Sequence, residues 1–358
     1  MYKPALYRHF HRFAWLAVAL TLCVVVFGAF VRLSDAGLSC PDWPTCYGRA
    51  AWPQAASEVN DHAASAIRPF ETHKAWREQV HRMLAGSLGV LVLLLAMLAA
   101  RKRRYGIAQI AVASLLVAAA IPLYMRGEHG AASLLAIIGE MILLSAALRW
   151  SNTDLARVGA LTLAVIIFQA LLGMWTVTWL AWRATDRPMR VPDVRLLRRL
   201  VVLALVLLAL QIALGGWTSA NYAALSCGTD FPKCVGQWMP PHDFREGFVL
   251  WRGIGVDYEG GVLDGASRIA IHLAHRTGAL VVFLYLGWLA LRLMRSPGLR
   301  GFGGTLAVLL LAQVTLGVLN VKLALPLSVA VMHSAGAALL LFALVTLLAR
   351  LRAPEAGD

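Results

Sequence analysis

Residues 200–218, LVVLALVLLALQIALGGWT, hold no charged side chain. As a helix rising 1.5 Å per residue they span about 28 Å, close to the hydrocarbon thickness of a bilayer. Eight more stretches are similarly long and apolar with at most two charged side chains each, at roughly 13–31, 80–100, 107–123, 131–148, 159–180, 269–293, 302–323 and 327–349. The chain has 358 residues, 59% hydrophobic and 15% charged. Soluble globules run nearer a quarter charged, and disordered chains lack this apolar content. The reading is an all-α polytopic membrane protein with eight to nine transmembrane helices. The first run follows basic residues as a secretory signal would. Its length and the motif that continues from it predict a retained helix instead.

The formal charge is +14, from Lys+Arg 33 against Asp+Glu 19. Nucleic-acid binding would need that excess as a surface on a soluble domain. Here it marks helix ends: Lys3, Arg8 and Arg12 before the first run, Arg101 to Arg104 after the second, Arg292, Arg295 and Arg300 after the 269–293 run, and Arg350 and Arg352 after the last. Basic flanks predict the cytoplasmic side. The expectation is an inner-membrane protein with a cytoplasmic N-terminus, loops 32–79 and 219–267 in the periplasm, and six arginines of 181–199 inside. These assignments conflict. Counted forward, the run ending near Trp179 finishes outside, yet the next begins inside at Leu200. Either a helix is missing there, or one of the pair at 107–148 does not span.

Working outward from 200–218 exposes a repeat. Gly215-Gly-Trp-Thr…Ala223-Ala-Leu-Ser-Cys227 answers Gly28-Ala-Phe-Val…Ala36-Gly-Leu-Ser-Cys40. A second cysteine follows in each, giving CPDWPTC with Cys46 and CGTDFPKC with Cys234. Val80-His81-Arg82 answers Ala274-His275-Arg276, and a Gln four residues before a Gly recurs as Gln169/Gly173 and Gln313/Gly317. Two related bundles are expected, 1–199 with an insertion at about 105–158, and 200–358. In an oxidising compartment the close cysteine pairs read as disulfides. Zinc is the competing reading, although neither loop offers a CxxC or a well-spaced histidine. Cys23 lies mid-helix and reads as a small apolar residue.

Ionisable groups within a span default to functional candidates. His9, His11, His62, His73, His129 and His242 lie in flanks or loops, where solvation explains them. His275 and His333 each stand about six residues inside the outer end of a helix, roughly 9 Å deep. At matched depth on two helices of one bundle they could ligate one heme iron from both faces. The bland alternative is a hydrogen bond from each to a neighbouring helix. Glu78 and His81 share a helical face by their i, i+3 spacing, and His272 and His275 are the matching pair. A carboxylate beside a ligating histidine could accept protons or orient a water, or could simply be hydrated. Glu140 has no counterpart in the other bundle and no evident role.

At these residues the sequence resembles the heme A synthase family. The motifs are VRLSDAGLSCPDWPTCYG, EQVHR, FQALLGMWTVTW, LQIALGGWTSANYAALSC…DFPKC, AIHLAHR and LPLSVAVMHSAGAALL. They cover most of the chain outside 105–158 and 181–199. The resemblance implies eight helices in two four-helix halves. It implies a resident heme b held by His275 and His333, a substrate heme O held by His81, and Glu78 as the essential acid–base residue beside it. It implies disulfides Cys40–Cys46 and Cys227–Cys234. The implied reaction oxidises a ring methyl of heme O to a formyl group, giving heme A for terminal oxidases. Implied partners are heme O synthase, the oxidase assembly machinery and a second copy of the chain, within the lipid bilayer.

One departure stands out. The family carries a second ligating histidine in the N-terminal half, and aligning Gln313 with Gln169 carries His333 onto Met189, inside the polar segment DRPMRVPD. The fourth family helix is therefore expected to be missing and 107–148 to be an inserted hairpin, with His129 the one spare histidine nearby. Two other classes compete with this reading. A non-catalytic heme b electron-transfer protein would fit the missing ligand. A transporter built from repeats would place its charges nearer the midplane.

Overall fold

The computed structural model describes residues 9–59, 69–150, 155–168, 170–250 and 261–352. Within these limits the protein is a multi-pass, all-helical membrane protein. Its helices are α1 (Phe10–Leu33), α2 (Thr72–Ala100), α3 (Gly106–Met125), α4 (His129–Arg149), α5 (Leu155–Phe168), α6 (Ala170–Thr185), α7 (Val194–Ala220), the single turn α8 (Phe244–Gly247), α9 (Gly265–Arg295), α10 (Arg300–Lys322) and α11 (Leu327–Arg350). Eight of the described helices are long and apolar enough to cross a bilayer. The chain divides into two compact units, Met1–Pro188 and Met189–Asp358.

In the C-terminal unit the order of packing is a closed ring: α7 against α9, α9 against α10, α10 against α11, and α11 back against α7. Asp264 starts α9 by accepting the Ser267 amide at 2.8 Å, satisfying one of the donors a helix start leaves open. Pro326 immediately precedes α11, where fixed φ and a missing N–H cost the helix nothing. A short parallel pairing of β1 (Met189–Arg190) with β2 (Leu351–Arg352) ties the entry of the unit to the end of α11.

The N-terminal unit repeats that ring with a different economy of chain. Here α1 packs on α2, α2 on α5, α5 on α6, and α6 back on α1. The apolar run at 159–180 is therefore not one span. The Cβ that Gly173 lacks would stand 3.4 Å from the Cα of Ile166, whereas residues seven apart in a straight helix are separated by about 10 Å. α5 and α6 form an antiparallel pair of 14 and 16 residues, about 21 and 24 Å long and so shorter than the hydrocarbon core.

Both open ends of this pair lie at the same end of the unit. Gly159 of α5 abuts Ala96 and Ala99 beside the Arg101–Arg104 cluster. Trp182 of α6 packs edge-on against Trp15 of α1 at 5.0 Å, and the Trp15 indole donates to the Thr185 hydroxyl at 3.0 Å. The parity conflict in the sequence thus has a third solution: the run enters and leaves from the basic side. No full-length fourth helix is present among the described residues, and the short α6 occupies its place in the ring. The α3–α4 hairpin packs outside that ring, against α2 and α5. Gly139 allows the hairpin's close approach, since a Cβ there would meet the Ala113 carbonyl at 2.8 Å.

Candidate functional site

His275 lies on α9 and His333 on α11, each within the first three turns of its helix. Each ring rests on a glycine of the preceding helix in the ring of four. A Cβ on Gly215 would stand 3.2 Å from His275 Cε1, and one on Gly317 3.1 Å from His333 Cε1. A glutamine one turn earlier reaches each histidine. Gln211 Nε2 is 3.0 Å from His275 Nδ1 and donates to the His275 carbonyl at 3.0 Å. Gln313 Nε2 is 3.4 Å from His333 Nε2, and His333 Nδ1 is buried without a partner. The sequence signal for Gln211 is its place four residues before Gly215, the spacing that Gln313 keeps from Gly317.

These residues fit a heme iron. Two imidazoles on helices that face each other across the ring of four each keep one ring nitrogen uncommitted, and flat glycine walls leave room beside each ring. His272, one turn before His275, does something else. It is 4% exposed, and its Nδ1 lies 3.0 Å from the Ala223 carbonyl, which pins α9 to the loop that follows α7.

In the N-terminal unit His81 rests on Gly28 in the same way, closer still, with a Cβ at Gly28 only 2.8 Å from His81 Cε1. Phe27 stacks alongside, its ring 6.4 Å from the imidazole and inclined by 23°. Among the described residues no glutamine reaches this ring: Val24 stands one turn before Gly28, and His81 Nδ1 is buried and unpaired.

Glu78 is 7% exposed, and both its oxygens are engaged. Oε2 accepts the backbone amide of Cys40 at 2.8 Å, and Oε1 pairs with Arg82 Nη2 at 2.6 Å. Arg82 also donates to the carbonyls of Cys40 at 3.0 Å, Thr45 at 3.2 Å and Asp42. The carboxylate and the arginine together hold the first cysteine loop against the start of α2. Arg276 holds the second loop similarly, donating to the carbonyls of Asp230 at 2.8 Å and Lys233 at 2.9 Å.

The cysteines are bonded within each loop, Cys40 to Cys46 and Cys227 to Cys234, so they are not free to hold zinc. Asp42 organises the first loop from inside. It accepts the Thr45 hydroxyl and the amides of Tyr47 at 2.5 Å and Gly48 at 2.8 Å. Burial pushes its carboxyl up, but these hydrogen bonds outweigh it and hold the group below its ordinary 3.8. Burial, with the nearby Asp42 and Glu78 charges, pushes the Tyr47 hydroxyl up.

Other sequence candidates fall away from these clusters. His129 is exposed at the start of α4, its ring 4.8 Å from Tyr124. Glu140 on α4 has a buried Oε1 without a partner. Cys23 is exposed on α1. Gln169 and His62 lie outside the described residues.

A model of the COX15-CtaA family, described as cytochrome oxidase assembly protein, matches residues 11–127 and 177–345. The unmatched 128–176 holds α4 and α5. A heme A synthase of Shewanella oneidensis is 37% identical, covering 93% of each chain. Heme A synthases of Rhizorhabdus wittichii and Methylobacterium radiotolerans are 28% and 26% identical, over 92% and 89% of this chain and 90% and 84% of their own. Matched across both units and in the motifs around His81, His275 and His333, the chain belongs to the COX15-CtaA family of cytochrome oxidase assembly proteins.

Proposed function

We propose that the protein is a heme A synthase, an oxidoreductase that converts a ring methyl of heme O to a formyl group. The observation that carries this reading is the unequal furnishing of two like units. Among the described residues, one offers a single glycine-stacked histidine beside a buried carboxylate, and the other offers two such histidines and no carboxylate at the place that matches Glu78. The first arrangement suits a substrate that is altered and released, the second a group that stays.

In this reading His81 binds the iron of heme O and Gly28 sets how closely α1 approaches its ring. Glu78, one turn before His81 on the same face, orients a water or takes its proton at a carboxylate oxygen, as general acid–base work requires. Arg82 and the Cys40 amide fix that carboxylate, so its position depends on the closed first loop. His275 and His333 hold a heme b, which supplies one-electron transfer when bound. Holding the substrate methyl beside a fixed acid–base group converts a bimolecular encounter into a local one.

In this reading the N-terminus is cytoplasmic and the disulfide loops are periplasmic in an inner membrane, which the basic clusters and the paired cysteines support. Heme O would arrive from the enzyme that makes it, and heme A would pass to terminal oxidase assembly. The test is to extract hemes from the protein expressed with a heme O supply. Heme b together with heme A supports the reading. Heme b alone would support a non-catalytic carrier instead.

A further inference from the structure

Three histidines lie on glycines, and they differ in what holds them. At His275 the set is Gln211 and Gly215 on α7 with Gly278 one turn after the histidine on α9. At His333 it is Gln313 and Gly317 on α10 with Gly336 on α11. A Cβ on Gly278 would collide with Gln211 Oε1, and one on Gly336 with Gln313 Oε1. The glycine three residues after each histidine is thus the space its glutamine occupies. At His81 the same positions read Val24, Gly28 and Leu84. The stacking glycine is kept, the glutamine is replaced by an apolar side chain, and the space for it is filled.

The amide oxygens of Gln211 and Gln313 are both buried without a hydrogen-bond partner. An imidazole that binds iron through one nitrogen carries its proton on the other, and that N–H seeks an acceptor. As placed, each amide turns Nε2 toward its ring, and rotation of the amide end for end brings the unpaired Oε1 to the imidazole N–H as its acceptor, the two ends being alike in shape.

We propose that Gln211 and Gln313 are positioning residues that lock His275 and His333 as ligands of a heme that stays. By the same logic the absence of such a glutamine leaves His81 a releasable ligand for the heme that turns over. The inference rests on the assignment of these histidines as iron ligands in the previous section. It adds a reason why two similar units treat a similar ligand differently: retention is set by the neighbour of the histidine, not by the histidine.

The test uses the heme-loaded, full-length protein and two readouts, transfer of heme b to excess apomyoglobin and the midpoint potential of that heme. His275→Ala is the control for the ligand assignment and should abolish the low-spin bis-histidine spectrum. An unchanged spectrum there overturns the assignment itself. Gln211→Leu and Gln313→Leu should keep the low-spin spectrum but release heme about 10-fold faster or more, the usual cost of losing such a support. Gln211→Leu should also raise the potential, because loss of the acceptor makes the imidazole a weaker donor to ferric iron. Gln211→Glu, a stronger acceptor of the same length, should restore slow release and lower the potential.

Wild-type release in both leucine variants, or potential shifts of the same sign for leucine and glutamate, overturns the proposal. The converse variant, Val24→Gln with Leu84→Gly, should slow the escape of heme A to apomyoglobin by a similar factor. Unaltered escape from a folded double variant overturns the part that concerns His81.

Discussion

The side chain of Glu78 accepts the backbone amide of Cys40 at 2.8 Å, so the carboxylate nearest His81 is also a bond to the first disulfide loop. Replacing it separates two roles. Glu78→Gln keeps the size and one acceptor but loses the charge. It should leave heme b bound and lower heme A production by about 100-fold or more, the usual range for losing an acid–base group. Chromatography of extracted hemes checks this, and normal heme A in the variant would remove Glu78 from the chemistry.

Arg82 and Arg276 look equivalent in the sequence, yet they stand in different electrostatic settings. Arg82 pairs with a buried carboxylate, whereas the residue matching Glu78 in the second unit is His272. Arg82→Ala should destabilise the N-terminal unit by about 3 kcal/mol, because it strands the Glu78 charge as well as losing its hydrogen bonds. Arg276→Ala should cost clearly less. Thermal unfolding of the two variants in detergent gives the comparison.

Acid should open the first loop. The Asp42 carboxyl is held below its ordinary 3.8 by hydrogen bonds that exist only in the folded loop. Its stabilisation is therefore fully present above that value and is lost as pH falls through the lowered one. Reduction of Cys40–Cys46 by an impermeant phosphine should hold steady down to about pH 5 and accelerate as pH falls from there toward about pH 3, and Asp42→Asn should be fast and flat across that range.

The hairpin α5–α6 makes a topological prediction. In a Cys23→Ser background, single cysteines at Arg149→Cys and Asp186→Cys should label from the same side of the membrane. Labelling from opposite sides would mean that 159–180 crosses as one helix.

That hairpin also shows where sequence stops being informative. Eight spans follow from apolar length and the absence of charge, which is all a bilayer demands of a helix. The same criterion cannot tell one 22-residue span from two shorter helices folded together, since both are equally apolar. Nor does a proline mark the break. The conflict in arginine placement did locate the anomaly, because charge reports the side on which a segment ends. Start positions were similarly blurred: α2 begins at Thr72 rather than near 80, since its first two turns pack against the cysteine loop instead of lipid.

The site was legible where residue type and spacing act together. Glu78 with His81, the two histidines of the second unit and the paired cysteines could be picked out from the chain. Their supports could not. Gln211 is one glutamine in an apolar helix, and only its spacing from Gly215, matched at Gln313 and Gly317, could have singled it out. Arg82 reads as a charge at a helix start, and its bonds to three loop carbonyls depend on how the loop folds back.

The central claim is that one unit alters a heme while the other keeps one. The direct measurement is identification of the hemes extracted from the purified protein, expressed with a heme O supply, by chromatography and pyridine hemochrome spectra. The account predicts heme b and newly formed heme A in the same preparation, with heme b retained and heme A lost in Glu78→Gln. Heme b alone in the unmodified protein, with heme O neither bound nor converted, would contradict it.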